Sequence, residues 1–551
     1  MAQEELSRHR APGDTVRGAE PDGAEPPLAD AAFPAGREGA GTRREPDLGD
    51  RLVELFVKHR WATVVPIVLP LSKAFEAYWT LSNVYLREWR NAAAKHGERV
   101  AEVQRQIRAW NDAGRPGPLA TSRKAWLSVA VRASEYKKHS FGIDVDLHDI
   151  LGLDLERRTV RVEPRVNMGQ LTRKLVPMGL TLPVVPELDD LTAGGLFLGY
   201  GMETSAHKYG LFSDTVVGAE VVLADGRVVR CSATEHPDLF RALPWSHGSL
   251  GILTALEIQV RPCRPYVRHQ VRQVRGMEAI CQAFADTISG DDPPEFVEGL
   301  LFDHDRGVIL TGDFADRPPD VPANDFSDWR KPWFYKYVES APDGQVDYIP
   351  LRAYYHRHTR SLYWHGELLV PFGNHPAFRR TLGWLMPPKV SFLKLTQGKK
   401  VREFRDARNV VQDALVPLRH LKEAVAMFHR EFECYPLWLC GHRTYRTDPP
   451  GMVQPSPGTE DWEMYVDVGA WQVPGFVRRG EPWDGHEAVR RMEAWCRDHH
   501  SYQCLYAVTE QTRDEFWQMF DPTLYRQVRA AYGADGAFLD VFDKVKRPDQ
   551  A

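Results

Sequence analysis

The sequence predicts an α+β chain of more than one domain. Two observations carry this: a length beyond what one hydrophobic core organises, and strands that arrive in hairpins instead of alternating with helices. At 551 residues with 43% hydrophobic side chains, the chain has material for sizeable cores. Its 16 Trp, 24 Phe and 19 Tyr would also suit enclosure of a flat, apolar ligand. Basic residues number 70 against 75 acidic ones, so no basic excess points to nucleic acid. Seven cysteines show neither a CxxC pair nor a Cys/His ligand spacing, which predicts free thiols, a reducing compartment and no metal centre.

Taken in chain order, residues 1–48 are rich in Ala, Gly, Pro and charge and predict a disordered arm without a signal peptide. Residues 49–96 read as a helical, membrane-associating segment. Within it, the uncharged run Trp61–Ser72 is 12 residues long, short of the ~20 that a span requires. Pro66 and Pro70 interrupt it and Lys73 and Glu76 follow, so residues 52–86 predict an interfacial anchor rather than a crossing helix. The rest of the chain would then face the cytosol, the alternative being a soluble cytoplasmic protein.

Residues 97–265 read as the first domain. A helix over 97–110 places Val100, Val103 and Ile107 on one face. Thr159–Pro164 reads as a strand, and Asn167 caps a helix that Gly179 closes. Val216–Leu223 and Val228–Arg230 form a hairpin about Asp225-Gly226, read as a two-residue turn, and Ile252–Val260 adds another strand. Residues 266–500 mix strands and helices as a second domain. Residues 501–551 close the chain, with a strand at Gln503–Val508 and a helix at Asp514–Phe520.

The densest chemical signal is TAGGLFLGYGMETSAHKYG, residues 192–210, with five glycines. Missing β-carbons let backbone amides approach an anion closely. The segment departs from the Rossmann fingerprint, because Thr204 stands where GxGxxG has its third glycine and no βαβ unit surrounds it. His356 and His358, read on a strand, would share a face but lack a third metal ligand at a matching spacing. Glu187, Asp189 and Asp190 precede the glycine run and read as helix caps or as hydrogen-bond partners of a bound ligand.

The order of these elements resembles the FAD-binding domain of the vanillyl-alcohol-oxidase type, also called PCMH-type. More particular phrases are PELDDLT at 186–192, SAHKYGLF at 205–212, KPWF at 331–334, YIPLRAYYHRHTRS at 348–361, PPKVSFLKLTQG at 387–398 and EFWQMFDPTLY at 515–525. These resemble the Δ24-sterol reductase family, including its plant Diminuto members.

The resemblance implies a two-subdomain FAD-binding domain, a mixed α/β cap domain and a closing segment that returns to the first domain. It implies FAD against Thr192, Ala193, Gly194, Gly195, Leu196, Phe197, Leu198, Gly199, Tyr200, Gly201, Met202, Glu203, Thr204, Ser205 and His207. It adds Ser122 and Arg123 in the first phosphate loop and Gly248, Gly251 and Ile252 in the later one. That first loop, Ala120–Trp126, has no glycine and no His or Cys, so FAD is expected to be noncovalent. NADPH would reduce the flavin, and the reduced flavin would reduce the Δ24 side-chain double bond of a sterol-like substrate. An FAD-dependent alcohol oxidase or dehydrogenase, or a non-catalytic sterol- or flavin-binding protein, stand as alternatives. The proton for the alkene carbon is sought among His356, His358 and Tyr506. The oligomeric state is not legible in the sequence.

Overall fold

The computed structural model describes residues 59–547 apart from 91, 125–126, 128–133 and 396–407. The arm at 1–48 and the start of the anchor therefore lie outside the described residues.

Two antiparallel sheets organise the chain. The first runs Ile150–Asp154, Thr159–Val162, Ile252–Gln259, Val216–Val222, Val228–Ser232. The second has eight strands in the order Val346–Pro350, Tyr266–Arg275, Arg306–Ala315, Phe296–Leu301, Leu437–Tyr445, Trp462–Gln472, Val410–Pro417, Tyr502–Gln503. Helices Met277–Ser289, Leu421–Phe432 and Gly485–Asp498 pack together over this larger sheet. A short parallel pair, Leu119–Thr121 with Phe141–Ile143, packs against helix His96–Asp112. The architecture is α+β.

Local signals account for the elements around the first sheet. Helix His96–Asp112 buries Val100, Val103, Ile107 and Trp110 at helical spacing. Asn167 accepts from the Gln170 amide in a reciprocal capping box, and Gly179 ends the following turn at φ +72°. The hairpin about Asp225-Gly226 is present, but its loop has three residues. Leu223 and Arg227 face each other (Leu223 N–H to Arg227 O, 2.9 Å), with Gly226 left-handed at φ +84°. A type I turn followed by a left-handed glycine closes strands as well as the two-residue turn does.

Three expectations are corrected. The chain at Leu351–Tyr355 is a helical turn and not a strand, so His356 and His358 do not share a strand face. The expected strand at Gln503–Val508 is reduced to Tyr502–Gln503. Among the described residues the side chains of Asp189 and Asp190 cap no helix: Asp189 pairs with Arg352 and His356, and Asp190 with Lys389.

The last segment crosses back to the first sheet. Leu119 N–H donates to Ala537 O at 2.7 Å, Ser249 Oγ meets Tyr525 Oη at 2.7 Å, and Lys544 Nζ donates to Gly248 O at 2.7 Å. At the other end, Trp61–Thr63, a wider turn at Val64–Val68 around Pro66, and Leu69–Arg90 run as consecutive helical pieces. Among the described residues no helix is long and apolar enough to cross a membrane.

Candidate functional site

The glycine run divides into an interior side and an open side. Thr192 is extended and starts helix Ala193–Leu198. Ala193 N–H donates to Val166 O at 2.8 Å and Gly194 N–H to Pro164 O at 2.9 Å, so neither amide is available to a phosphate. A β-carbon on Gly194 would lie 2.6 Å from Pro164 Cβ. Leu196 and Phe197 are core residues. Expected ligand contacts by Ala193, Gly194, Leu196 and Phe197 are thus corrected to packing against the Pro164–Val166 turn and the core. Gly195 is exposed, its amide donates to nothing among the described residues, and a β-carbon there would meet only Thr192 Oγ1, at 3.0 Å. The open side is Thr192, Gly195, Leu198 and Tyr200, each at least partly exposed.

Packing also explains the later glycines. A β-carbon on Gly199 would reach Gly195 O at 2.8 Å, and one on Gly201 would reach Leu196 Cδ2 at 2.7 Å. Met202, Glu203, Thr204, Ser205 and His207 turn into the interior. There Ser205 Oγ donates to Pro183 O at 2.8 Å, and both His207 nitrogens lie near carbonyls, those of Thr204 and Pro294. Burial pushes the His207 pKa down to about 4, so the neutral ring donates to one of the two. Gly251 would drive a β-carbon to 2.4 Å from Val221 Cγ1, and Ile252 is buried in its strand. Their expected place against the cofactor is corrected to sheet packing. Gly248 remains at the surface of that loop, left-handed at φ +70°.

Arg123 lies within electrostatic reach of Asp190, two residues before Thr192. Burial, then the neighbouring Arg165, lower the Arg123 pKa to about 10, while Asp190 works the other way. Two guanidiniums held together, close to the acid two residues before Thr192, are stabilised by an incoming anion. Ser122 Oγ donates to Asp144 at 3.2 Å, and Lys137 Nζ pins the Thr121 and Arg123 carbonyls at 3.1 and 2.7 Å. Arg123 also donates to Leu127 O at 2.8 Å and Arg165 to Val145 O at 3.0 Å, which leaves each guanidinium further N–H groups for a diphosphate.

The three candidate acids occupy three different environments. His356 bonds Thr172 Oγ1 and Glu187 O, each at 2.9 Å, and lies 2.9 Å from Asp189. It ties the glycine-run approach to the second sheet. His358 is fully buried, 3.2 Å from Glu298 Oε2 and stacked on Tyr363. Between them Arg357, also buried, donates to Glu203 at 2.8 Å and to Glu298 at 2.9 Å. The guanidinium and His358 hold Glu298 far below the usual carboxylate range against its desolvation. Burial and Glu203 push Glu187 well above it.

Tyr506, partly exposed like His356, lies against an aromatic wall. Its hydroxyl donates to Asp413 Oδ2, and Trp471 Nε1 reaches Asp413 Oδ1 at 2.5 Å and the Tyr506 oxygen at 2.8 Å. Tyr200, from the glycine run, donates to Asp467 Oδ2 at 2.7 Å. The site therefore joins the two sheets through Tyr200. Sequence reading missed Asp413 and Asp467. A signal existed: each interrupts an apolar strand, VVQDALVP and MYVDVGAW, where a carboxylate has to be paired or protonated.

A model described as an FAD binding domain matches residues 93–232. That span holds Ser122, Arg123, Arg165 and the whole glycine run, and leaves out Gly248, Gly251 and Ile252. Delta(24)-sterol reductase of Arabidopsis thaliana is 43% identical over 521 residues, covering 90% of this chain and 93% of its own length. The Homo sapiens protein of that name is 43% identical over 499 residues, covering 89% and 94%. The Delta(24)-sterol reductase homolog of Caenorhabditis elegans is 38% identical, covering 91% and 98%. This chain belongs to the Delta(24)-sterol reductase family. With the matched FAD-binding segment, that membership makes the fold a PCMH-type α+β flavoprotein fold.

Proposed function

We propose that this family member is an FAD-dependent oxidoreductase that reduces the Δ24 side-chain double bond of a sterol or sterol-like substrate, with NADPH as reductant. The observation that carries the reading is the extent of the similarity. It runs at 43% identity through about 90% of the chain, so it includes the eight-stranded sheet as well as the FAD-binding segment. By contrast, L-gulonolactone oxidase of Bos taurus is 25% identical over 35% of this chain. Bound FAD would accept hydride from the nicotinamide and supply it to the alkene. Gly195, Arg123 and Arg165 would hold its diphosphate, with no covalent link. Tyr363, Trp364, Trp438 and Trp471 pack ring against ring beside Tyr506, the first and last 4.0 Å apart. Such faces tolerate cationic character at the more substituted alkene carbon.

The purified protein is expected to be yellow, to bleach anaerobically with NADPH and to recover its colour with a Δ24 sterol. A deuteride-labelled nicotinamide in ordinary water should leave label at C25 and none at C24. Recovery with alcohols or oxygen alone, or label at C24, would overturn the reading. Acid precipitation should release all of the flavin.

We further propose a membrane surface as partner. Trp61, Ile67, Leu71, Tyr78 and Leu81 of the helical pieces are 38–70% exposed, as are Phe372, Leu382 and Trp384 at 37–51%. Trp61 and Phe372 touch ring to ring at 5.4 Å, as do Phe75 and Phe392 at 5.8 Å, so both sets lie on one side. Arg380, exposed beside Leu382, suits an anionic headgroup. Full-length protein should float with anionic liposomes, and Leu71→Glu with Trp384→Glu should reduce the floated fraction at least tenfold. Full-length protein that stays at the bottom of the gradient would refute the anchor.

A further inference from the structure

We propose that Tyr506 hands the proton to C24 of the substrate and that the buried pair Asp413–Asp467 holds the proton that recharges it. This rests on the reductase reading above and adds to it the proton source.

The geometry selects Tyr506 from the three candidates. His356 is spent on Thr172 and the Glu187 carbonyl, and His358 is sealed behind Tyr363 and Glu298. Tyr506 is half-buried, joined to Asp413 on one side and to an aromatic wall on the other. Asp413 and Asp467 are 1% and 0% exposed. They sit on adjacent strands, where the registers Asp413↔Gly469 and Leu415↔Asp467 put both carboxyls on the same face. Gly469 is required opposite, since a β-carbon there would lie 2.8 Å from Asp413 Oδ1.

The groups facing the pair are Tyr506 and Trp471 on Asp413, Tyr200 on Asp467, and Cys504. Among the described residues no Lys, Arg or His pairs with either carboxyl. Asp467 Oδ1 has no hydrogen-bond partner among the described residues. Two desolvated carboxyls without a cation cannot both ionise. Burial accordingly pushes Asp413 up to about 7, and burial with Asp413 as neighbour pushes Asp467 well above the usual carboxylate range. At neutral pH the pair therefore carries at least one proton. When that proton sits on Asp413 Oδ2, the carboxyl donates to the phenol oxygen and the Tyr506 hydrogen turns away from Asp413.

The step balances. The alkene π pair would form the new C24–H bond with the Tyr506 proton, and C25 would take the hydride that bound FAD would supply. The Tyr506 O–H bond breaks, and the Asp413 carboxyl proton restores it. The pair, short of one proton, regains it from solvent through Tyr200, which is partly exposed and bonded to Asp467. Because Asp413 recharges Tyr506 only when it is protonated, alkene reduction should be fastest at low pH and should fall as pH rises through about 7.

The test separates the two half-reactions of the flavin-loaded enzyme by stopped flow. In Tyr506→Phe, reoxidation by a Δ24 sterol should slow by about 10²–10⁴-fold, while bleaching by NADPH stays within about threefold. Asp413→Asn and Asp467→Asn should abolish or displace the fall near pH 7. Reoxidation of Tyr506→Phe at the wild-type rate would overturn the proposal. An unmoved pH profile in both Asn variants would also do so, as would a stoichiometric metal bound at Asp413, Asp467 and Cys504. If the Asn variants lose their flavin, the wild type decides: its reoxidation should show the pH fall and a solvent deuterium effect, and a flat profile refutes the relay. A wild type that bleaches with NADPH but that no Δ24 sterol reoxidises is a different failure. It removes the reductase reading, and the relay with it.

Discussion

Arg357→Met is expected to cost about 3–5 kcal/mol, because it leaves two fully buried carboxylates without their cation. Glu203 and Glu298 are both 0% exposed, and both accept from the one guanidinium. Glu298 also takes Trp438 Nε1 at 3.0 Å and His358, so its position is fixed by groups that cannot follow it to solvent. Scanning fluorimetry should show an apparent Tm lower by on the order of 5–10 °C. The triple variant Arg357→Met, Glu203→Gln, Glu298→Gln should recover most of the loss, since neutral amides need no counter-ion. The pH dependence reverses sign. In the native protein Glu298 is held below its unfolded range, so its contribution is present above that range and is lost as pH falls through the depressed value. In Arg357→Met the buried Glu298 loses the cation that depresses it, so acidification from pH 7 to 5 should lessen the defect. A single variant as stable as the native protein would show that the guanidinium is not what carries this junction.

The second large effect distinguishes two adjacent glycines. Gly195→Val should fold normally and purify without flavin, because its side chain would stand on the open side of the helix and meet only Thr192 Oγ1. Gly194→Ala should lose stability by about 1–3 kcal/mol, because its β-carbon overlaps Pro164. The ratio of absorbance near 450 nm to that at 280 nm, measured with an apparent Tm, reads both at once. Full flavin occupancy in Gly195→Val would mean that the diphosphate lies elsewhere.

What could be read directly in the sequence is what short-range chemistry specifies. Asn167 with Gln170 starts a helix, Gly179 ends it, and Asp225-Gly226 turns a hairpin, because each acts on a backbone group a few residues away. The i, i+3, i+4 spacing of Val100, Val103 and Ile107 marks a buried face before any partner is known. The glycine run likewise announced a place where backbone approaches something closely. Tertiary structure decided what that something is at each position: Pro164 for Gly194, Leu196 for Gly201, and for Gly195 only its neighbour Thr192. It also separated His356 from His358, since a helical turn at Leu351–Tyr355 replaces the strand that would have aligned them. The acid site lay beyond sequence reading for a related reason. Tyr200, Asp413, Asp467 and Tyr506 come from four distant stretches, and two carboxyls share a proton only once folding has removed water and brought no cation to either.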